Sequence, residues 1–392
     1  MSVAIKNGWR MKWVAALAVF CCVGGWVVDA APAPADRIVV GLALDLSGPS
    51  GPSGREARGA LLLEMARINR RGVAGGRIFL LTLDTKGSPE AAAAAVRSLV
   101  RVHKAVAVIG PVEHYAAIAA AKAAQEEKIP LFSLSAPEEI LSPPLKWVFS
   151  TARPASLPVR LILGHLKSMG IMRAAVLGSS LGYGSEGREQ ITALAPDFGV
   201  SILLNESFRP GEHNFLPFLK RASLRGVGGF VHWARGASRV DLVRARAALD
   251  LKIPLYVSHA SPGMFGAQKG GKAAEGVVFP ASWATAAHLL AESHSAKKEL
   301  MAFRAEYLKA YKSAPGETAA AAVDALRILA WSARGVGANR ERIPAGVEGA
   351  RYFMGLNGTY GFSKNDHNGL DTDSLVLVRM RKGKWELVKG GR

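Results

Sequence analysis

Cysteine is almost absent from this sequence, which excludes several kinds of chemistry. Among 392 residues only Cys21 and Cys22 occur, and both lie in an apolar N-terminal run. Because we expect this run to be removed, the mature chain would have no disulfide, no cysteine nucleophile and no cysteine–metal site. A chain of this length can bury hydrophobic cores large enough to fold without disulfides.

Acidic residues are also scarce, with 31 Asp and Glu against 50 Lys and Arg. The basic residues are spread through every segment and form no dense run interleaved with aromatic residues, so we expect no nucleic-acid partner. The nine histidines have no H-x-x-x-H or H-E-x-x-H spacing, and no G-x-G-x-x-G follows the first predicted strand. We therefore expect neither a metal nor a nucleotide cofactor.

The first thirty residues have the three parts of a secretory signal peptide. Basic residues come first, an apolar run follows from Trp13 to Val28, and Val28 and Ala30 are the small residues of a cleavage site. We expect residues 1–30 to be removed and the mature protein to enter the periplasm. A retained N-terminal anchor is the alternative, because the run approaches the length that spans a membrane.

Short β-branched runs alternate with longer amphipathic runs through the rest of the chain. Strands are predicted from Arg37–Asp45 to Leu131–Leu134, and the alternation restarts at Arg173–Gly178 after a proline-rich break at 137–158. Strands separated by helices of ten or more residues indicate parallel sheets. The predicted fold class is α/β, with two doubly wound parallel-sheet lobes.

The last third of the chain suggests how these lobes are joined. Two long helices are predicted there, followed by a β-hairpin around Lys382-Gly383. We expect residues 31–152 and 276–350 to form the first lobe, and residues 153–275 and 351–392 the second. The chain would then cross between lobes more than once, as in a hinged clamp, with a solute bound beyond the carboxyl ends of the strands.

Several short segments are informative through their order. They include Leu46-Ser-Gly-Pro49, Ile109-Gly-Pro111, Ser133-Leu-Ser-Ala136, Tyr183-Gly184 and Gly358-Thr359. Together they resemble the type I periplasmic solute-binding proteins of ABC transporters, in particular the leucine/isoleucine/valine-binding family. The resemblance implies a Venus-flytrap protein that is not an enzyme and that delivers a small solute to ABC permease subunits. We expect it to act as a monomer.

The resemblance also points to ligand-binding positions, and several of them depart from the family's pattern. Where amino-acid-binding members have a hydroxyl residue for the α-carboxylate, this chain has Glu113-His114. Pro137 replaces the usual threonine of the next loop. His259 stands where the second lobe commonly supplies an acid for the α-ammonium. A buried ammonium without a carboxylate partner is costly, so an ordinary α-amino acid is not the expected solute.

Aromatic and basic side chains remain at these positions, and they suit a carboxylate-bearing or aromatic solute. The predicted ligand-binding residues are Ser53, Glu113, His114, Ser135, Ala136, Tyr183, Trp233, Arg235 and His259.

Two alternatives to transport stay open. A ligand-sensing receptor of the same fold needs only the same closure, and the sequence does not separate it from a transport protein. A secreted serine hydrolase is suggested by the G-x-S-x-G match at 178–182, with Ser180 as nucleophile and Asp241 or Asp250 and His259 as partners. A glycine-rich turn at the cleft explains the same residues more simply, because no HGGG-like segment precedes them.

Overall fold

The first half of the chain folds around a five-stranded parallel sheet. The computed structural model describes residues 36–259 and 271–388. The strands are β1 (Asp36–Leu44), β2 (Gly76–Asp84), β3 (Ala107–Ile109), β4 (Leu131–Ser133) and β5 (Val148–Ser150), in the order β2-β1-β3-β4-β5. The helices between them are α1 (Gly51–Asn69), α2 (Pro89–Arg101), α3 (His114–Glu127) and α4 (Glu138–Leu141).

Strand β1 shows why this sheet is covered on both faces. Val40, Leu42 and Leu44 are fully buried in one hydrophobic cluster, whereas Ala43 is fully buried in another on the opposite face. A strand with two buried faces has an almost continuous apolar sequence, as observed here. Helix α1 packs on the first face, and α2 and α3 pack on the second.

The second half of the chain forms a seven-stranded mixed sheet. Its strands are β6 (Arg173–Ser179), β7 (Ser201–Phe208), β8 (Gly229–Trp233), β9 (Leu255–Val257), β10 (Val277–Ser282), β13 (Leu375–Arg381) and β14 (Lys384–Leu387). The order is β14-β13-β10-β9-β8-β6-β7, and β13 and β14 pair antiparallel. Its helices are α5 (Ser156–Ser168), α6 (Tyr183–Leu194), α7 (Leu216–Leu224) and α8 (Ser238–Ala248). These two lobes confirm the predicted fold class.

Between β10 and β13 the chain returns to the first lobe. Helices α9 (Lys297–Tyr311), α10 (Glu317–Val336) and α11 (Ile343–Glu348) are followed by the two-stranded ribbon of β11 (Phe353–Met354) and β12 (Thr359–Tyr360). Helix α10 packs on α1, and Tyr360 and Phe362 share the first-lobe core with Phe149.

These pairings suggest a different division of the chain from the expected one. Residues 276–350 were assigned to the first lobe, but Val277–Ser282 pairs with β9 and β13 in the second sheet. Residues from 351 were assigned to the second lobe, but β12 and Phe362 contribute to the first-lobe core. We propose that the crossings fall near 151–155, 283–296 and 371–374. Pairing with β9 on one side and with the antiparallel strand β13 on the other places β10 in the second sheet.

Arg153 connects these crossings to the first lobe. Its Nε donates to Ser374 Oγ at 3.2 Å, and its Nη2 donates to the carbonyl of Asn357. Its Nη1 donates to Glu317 Oε1 at the start of α10. The side chain is buried, so each of these bonds replaces one to water.

Among the helices of the described ranges, none is both long and apolar enough to cross a membrane.

Candidate functional site

The carboxyl edge of the first sheet is organised by Asp45, a fully buried residue just after β1. Its Oδ2 accepts from the backbone N–H groups of Val112 and Glu113 at 2.9 and 2.8 Å, and its Oδ1 accepts from Thr85 Oγ1. One carboxylate therefore fixes the turns that follow β1, β2 and β3. We propose that these turns form the first-lobe side of the cleft between the lobes in which the sequence predicted a solute.

Glu113 lies at this edge, and its side chain bonds its own helix. It is the N-cap of α3, and its Oε2 accepts from the N–H of Ala116 at 2.7 Å. Burial raises the pKa of Glu113. The carboxylate thus occupies the helix N-terminus that a ligand anion could otherwise approach. Its predicted contact with a solute stays a prediction.

The remaining first-lobe candidates are small residues. Ser135 and Ala136 are buried in the turn after β4, where the carbonyl of Ser135 accepts from the hydroxyls of Ser133 and Ser150. Ser53 is half-buried in the first turn of α1. These residues lie at the predicted edge and bring no charged side chain to it.

A contact between the lobes closes one side of the cleft. The N–H of Gly182 donates to Tyr115 Oη at 3.0 Å, and Glu186 Oε1 accepts from the N–H of Glu138 at 3.0 Å. Glu186 Oε2 lies 3.5 Å from His114 Nδ1. Burial raises the pKa of Glu186 to about 7 and lowers the pKa of His114. We call these five residues the rim contact.

Tyr183, Arg235 and His259 come together on the second-lobe side of the cleft. Tyr183 Oη lies 2.9 Å from His259 Nδ1, and the Arg235 guanidinium lies 4.2 Å from the centroid of the tyrosine ring. Burial raises the pKa of Tyr183 to about 12 and lowers the pKa of His259 to about 4. At neutral pH this group is therefore a phenol, a neutral imidazole and one guanidinium.

Glu317, at the start of α10, connects the first lobe to Tyr183, Arg235 and His259. Its Oε2 lies 3.5 Å from His259 Nε2, while its Oε1 accepts from Arg153. Burial opposes ionisation of Glu317, but attraction to His259 and Arg153 outweighs it and lowers the pKa. A continuous chain of contacts thus runs from the crossings between lobes to the second-lobe wall. We call Arg153, Glu317, His259, Tyr183 and Arg235 the cleft chain.

Trp233 was predicted as a ligand contact, but its indole is fully buried beneath Tyr183. The two ring centroids are 5.7 Å apart. A Cβ added to Gly187 of α6 would lie only 2.0 Å from Trp233 Nε1, so the glycine is what admits the indole. The sequence predicted a ligand contact for Trp233 only because the residue lies at the end of β8. In the structure its side chain packs into the core of the second lobe.

Sequence reasoning missed Arg153 and Glu317. Arg153 lies in the proline-rich break at 137–158, for which the sequence predicted only an interruption between the two lobes. Glu317 opens a helix, where an acid is commonplace because it complements the helix dipole. The two are 164 residues apart, and local patterns carry no information about such a pair.

The residues of the hydrolase alternative are not brought together. His259 is engaged by Tyr183 and Glu317, and Asp241 Oδ2 lies 2.7 Å from His213 Nδ1. Asp250 pairs with Lys252 at the surface. Within the described part of the chain, no cluster of three or more metal-ligating His, Cys, Asp or Glu occurs either.

Comparison with known families supports the resemblance noted in the sequence. The sequence model of the family described as periplasmic binding protein matches residues 37–384. No curated protein sequence matches the chain.

Solved structures with the same fold cover 90% of this chain. An extracellular ligand-binding receptor from Rhodopseudomonas palustris HaA2 is 22% identical with a TM-score of 0.78 and is covered over 100% of its length. A leucine-binding protein from Thermotoga maritima is 20% identical, with a TM-score of 0.75 and 97% coverage. An ABC-transporter solute-binding protein from R. palustris, solved in complex with benzoate, is 22% identical with a TM-score of 0.73 and 96% coverage.

Proposed function

Because the chain belongs to the periplasmic binding protein family, we propose that it is the extracytoplasmic solute-binding component of an ABC importer. Its lobes would close on a small organic solute by hinge motion, and ligand would shift the population toward the closed form. The solute leaves unchanged and passes to permease subunits in the membrane. We propose no catalytic role and no cofactor for any residue of the cleft.

The observation that carries this proposal is the cleft chain. It joins a buried residue at the crossings, Arg153, to the exposed Arg235 on the far wall through three polar side chains. A solute contacting Tyr183 or Arg235 would therefore touch groups that are bonded to the opposite lobe. Differential contact of this kind is what a ligand needs to shift a two-state equilibrium.

For the solute we propose a small carboxylate, with an aromatic or apolar body, rather than an ordinary α-amino acid. Glu317 is already engaged by Arg153, and no acid follows β9 to receive an ammonium. Arg235 is exposed and has no ion pair with any described residue. The benzoate bound by one structurally similar protein is a solute of this class.

We also propose export to the periplasm through the signal peptide predicted at residues 1–30, which lie outside the described residues. The family supports this location, and a monomer is sufficient for the proposed function. N-terminal sequencing of the exported protein tests the cleavage. A mature chain beginning at Ala31 is expected, and an uncleaved chain would instead support the anchor.

A thermal-shift screen of residues 31–392 tests the proposal. The panel contains benzoate, 4-hydroxybenzoate, phenylacetate and succinate, with leucine, valine and glutamate as the amino-acid set. A solute at a hundred times its Kd stabilises by about 2.7 kcal/mol, which is visible as a shifted melting temperature. We expect carboxylates to stabilise and to be recovered unchanged.

Two other outcomes are informative. Stabilisation by amino acids alone would keep the function and overturn the solute class. Consumption of an ester that is lost in Ser180→Ala would overturn the function itself.

A further inference from the structure

Arg239 is a buried cation beside the cleft chain. It lies in the first turn of α8 and is only 5% exposed. Its Nη1 donates to the carbonyl of His259 at 3.2 Å, and its Nε has no hydrogen-bond partner among the described residues. No described carboxylate lies within 4 Å of it, and residues 260–270 contain neither Asp nor Glu.

Other buried arginines of this chain are better satisfied. Arg153 bonds Glu317, the carbonyl of Asn357 and both oxygens of Ser374. Arg246, on the same helix as Arg239, also has an Nε without a partner among the described residues, but its two terminal nitrogens donate to two backbone carbonyls, those of Ile253 and Glu275. A buried guanidinium that lacks such partners destabilises the protein unless an anion arrives.

The charge of Arg239 persists at neutral pH. Burial lowers its pKa to about 10, which leaves the group protonated. Arg235 lies four residues earlier and also has no ion pair with a described residue. The second lobe therefore places two guanidinium groups near the carboxyl end of β8: Arg235 contacts the ring of Tyr183, and Arg239, in the first turn of α8, contacts the carbonyl of His259.

The first-lobe wall has the opposite character. The N-terminus of α3 is already capped by the carboxylate of Glu113, and Asp45 is bonded by two N–H groups and a hydroxyl. An anionic solute approaching the N-terminus of α3 would therefore meet the carboxylate of Glu113 rather than a free N–H group. Resemblance to amino-acid-binding members would have placed the solute's carboxylate on this lobe and its cation on the other.

We propose that Arg239, together with Arg235, binds the anionic group of the solute on the second lobe, so that the polarity of the cleft is reversed. A guanidinium offers paired N–H donors that match the two oxygens of a carboxylate. This inference rests on the proposed function, since it assigns the position of the solute within the same cleft. The body of the solute would then extend toward the small residues Ser135 and Ala136 of the first lobe.

Thermal unfolding of the solute-free protein tests whether Arg239 is an unpaired buried charge, and it needs no ligand. Arg239→Met replaces an unpaired buried charge by an apolar chain of similar length, so the melting temperature should rise by about 1–4 °C. Arg246→Met is the matched control on the same helix. It leaves two backbone carbonyls without their donor, and the melting temperature should fall. A fall for Arg239→Met as large as that for Arg246→Met would overturn the inference.

Binding of benzoate and of its neutral isostere benzamide supplies the second test. Wild-type protein should bind benzoate at least about tenfold more tightly, and Arg239→Gln should abolish that preference while Arg246→Gln keeps it. Equal binding of the two compounds by the wild type, or an unchanged preference in Arg239→Gln, would overturn the inference. If the melting comparison fails while solutes still stabilise the protein, the inference about Arg239 is wrong and the proposed function stands. If no solute in the screen stabilises the protein, the result counts against the proposed function.

Discussion

The two walls of the cleft satisfy their polar groups in different ways. On the first lobe, Asp45 and Glu113 are bonded by neighbouring N–H groups, and the turn at Ser135 is held by two hydroxyls. On the second lobe, Arg235 has no ion pair with a described residue. Arg239 makes one hydrogen bond among the described residues, from Nη1 to the carbonyl of His259 at 3.2 Å. The polar groups of the first lobe are already hydrogen-bonded, whereas the guanidinium groups of the second lobe have N–H donors without a protein acceptor among the described residues.

This difference indicates which wall sets the chemistry of the solute. A bonded carboxylate gains little from a ligand, because any new contact replaces an existing one. An unpaired guanidinium gains a charge-assisted hydrogen bond when an anion arrives. We therefore propose that the first lobe fits the shape of the solute and that the second lobe binds its charge.

The largest effect is expected at Arg153, where the two walls are connected. Arg153→Met removes the buried guanidinium that bonds Glu317, Asn357 and Ser374, which should lower the free energy of unfolding by about 3–5 kcal/mol. Chemical denaturation measures this loss. Arg97→Met, which breaks the exposed pair with Glu126 (2.8 Å), should cost less than about 1 kcal/mol. Equal losses in the two variants would mean that Arg153 does not tie the crossings together.

A smaller loss is expected from Gly187→Ala beneath the second wall. The new Cβ would meet Trp233 Nε1 at 2.0 Å, and the buried indole has little space to move, so a loss of about 1–3 kcal/mol is expected. Gly335→Ala is the control, since a Cβ added there, in the last turn of α10, meets nothing within 4 Å. That control should be neutral or slightly stabilising. An unchanged melting curve for Gly187→Ala would show that the indole is not packed as described.

The smallest effect concerns pH and the rim contact. Burial raises the pKa of Glu186 to about 7, well above its ordinary value of 4.5, so the folded protein holds this proton more tightly than the unfolded chain. Stability from this group is therefore present below about pH 4.5 and is lost as the pH rises to about 7. His114 acts in the opposite direction, because burial lowers its pKa, and the charges of Glu138, Glu139, Glu189 and Arg235 also act on the pair.

Glu186→Gln isolates that contribution. Relative to wild type, the variant should be more stable at pH 8 than at pH 5, by a difference on the order of 1 kcal/mol. Glu341→Gln, at an exposed acid that is not among the charges acting on the pair, should show no such difference. Denaturation at the two pH values measures both, and parallel behaviour of the two variants would contradict the burial of Glu186.

Much of the fold could be predicted because its signals are local. The apolar run Arg37–Asp45 predicted a strand that the structure places at Asp36–Leu44, and the hairpin around Lys382-Gly383 is confirmed by β13 and β14. The assignment of Gly276–Pro280 to a strand was also correct. Its sheet was assigned to the first lobe, whereas β10 pairs with β9 and β13 of the second sheet, and strand pairing is not visible in the local pattern.

The cleft was less accessible to sequence reasoning. Tyr183, Arg235 and His259 were predicted at strand ends and do come together, since carboxyl ends of strands converge at one edge. Trp233 satisfied the same rule, yet Gly187 lets it enter the core. Arg239 lies inside a helix whose sequence shows nothing unusual, and only its three-dimensional surroundings reveal the missing partner.

The most direct test of this account is a crystal structure of the protein with whichever carboxylate of the panel stabilises it most. We predict the solute intact between the lobes, with its anionic group bonded to Arg235 and Arg239 and its body toward Ser135 and Ala136. A carboxylate bound at the N-terminus of α3, with Glu113 displaced and Arg239 still unpaired, would contradict it.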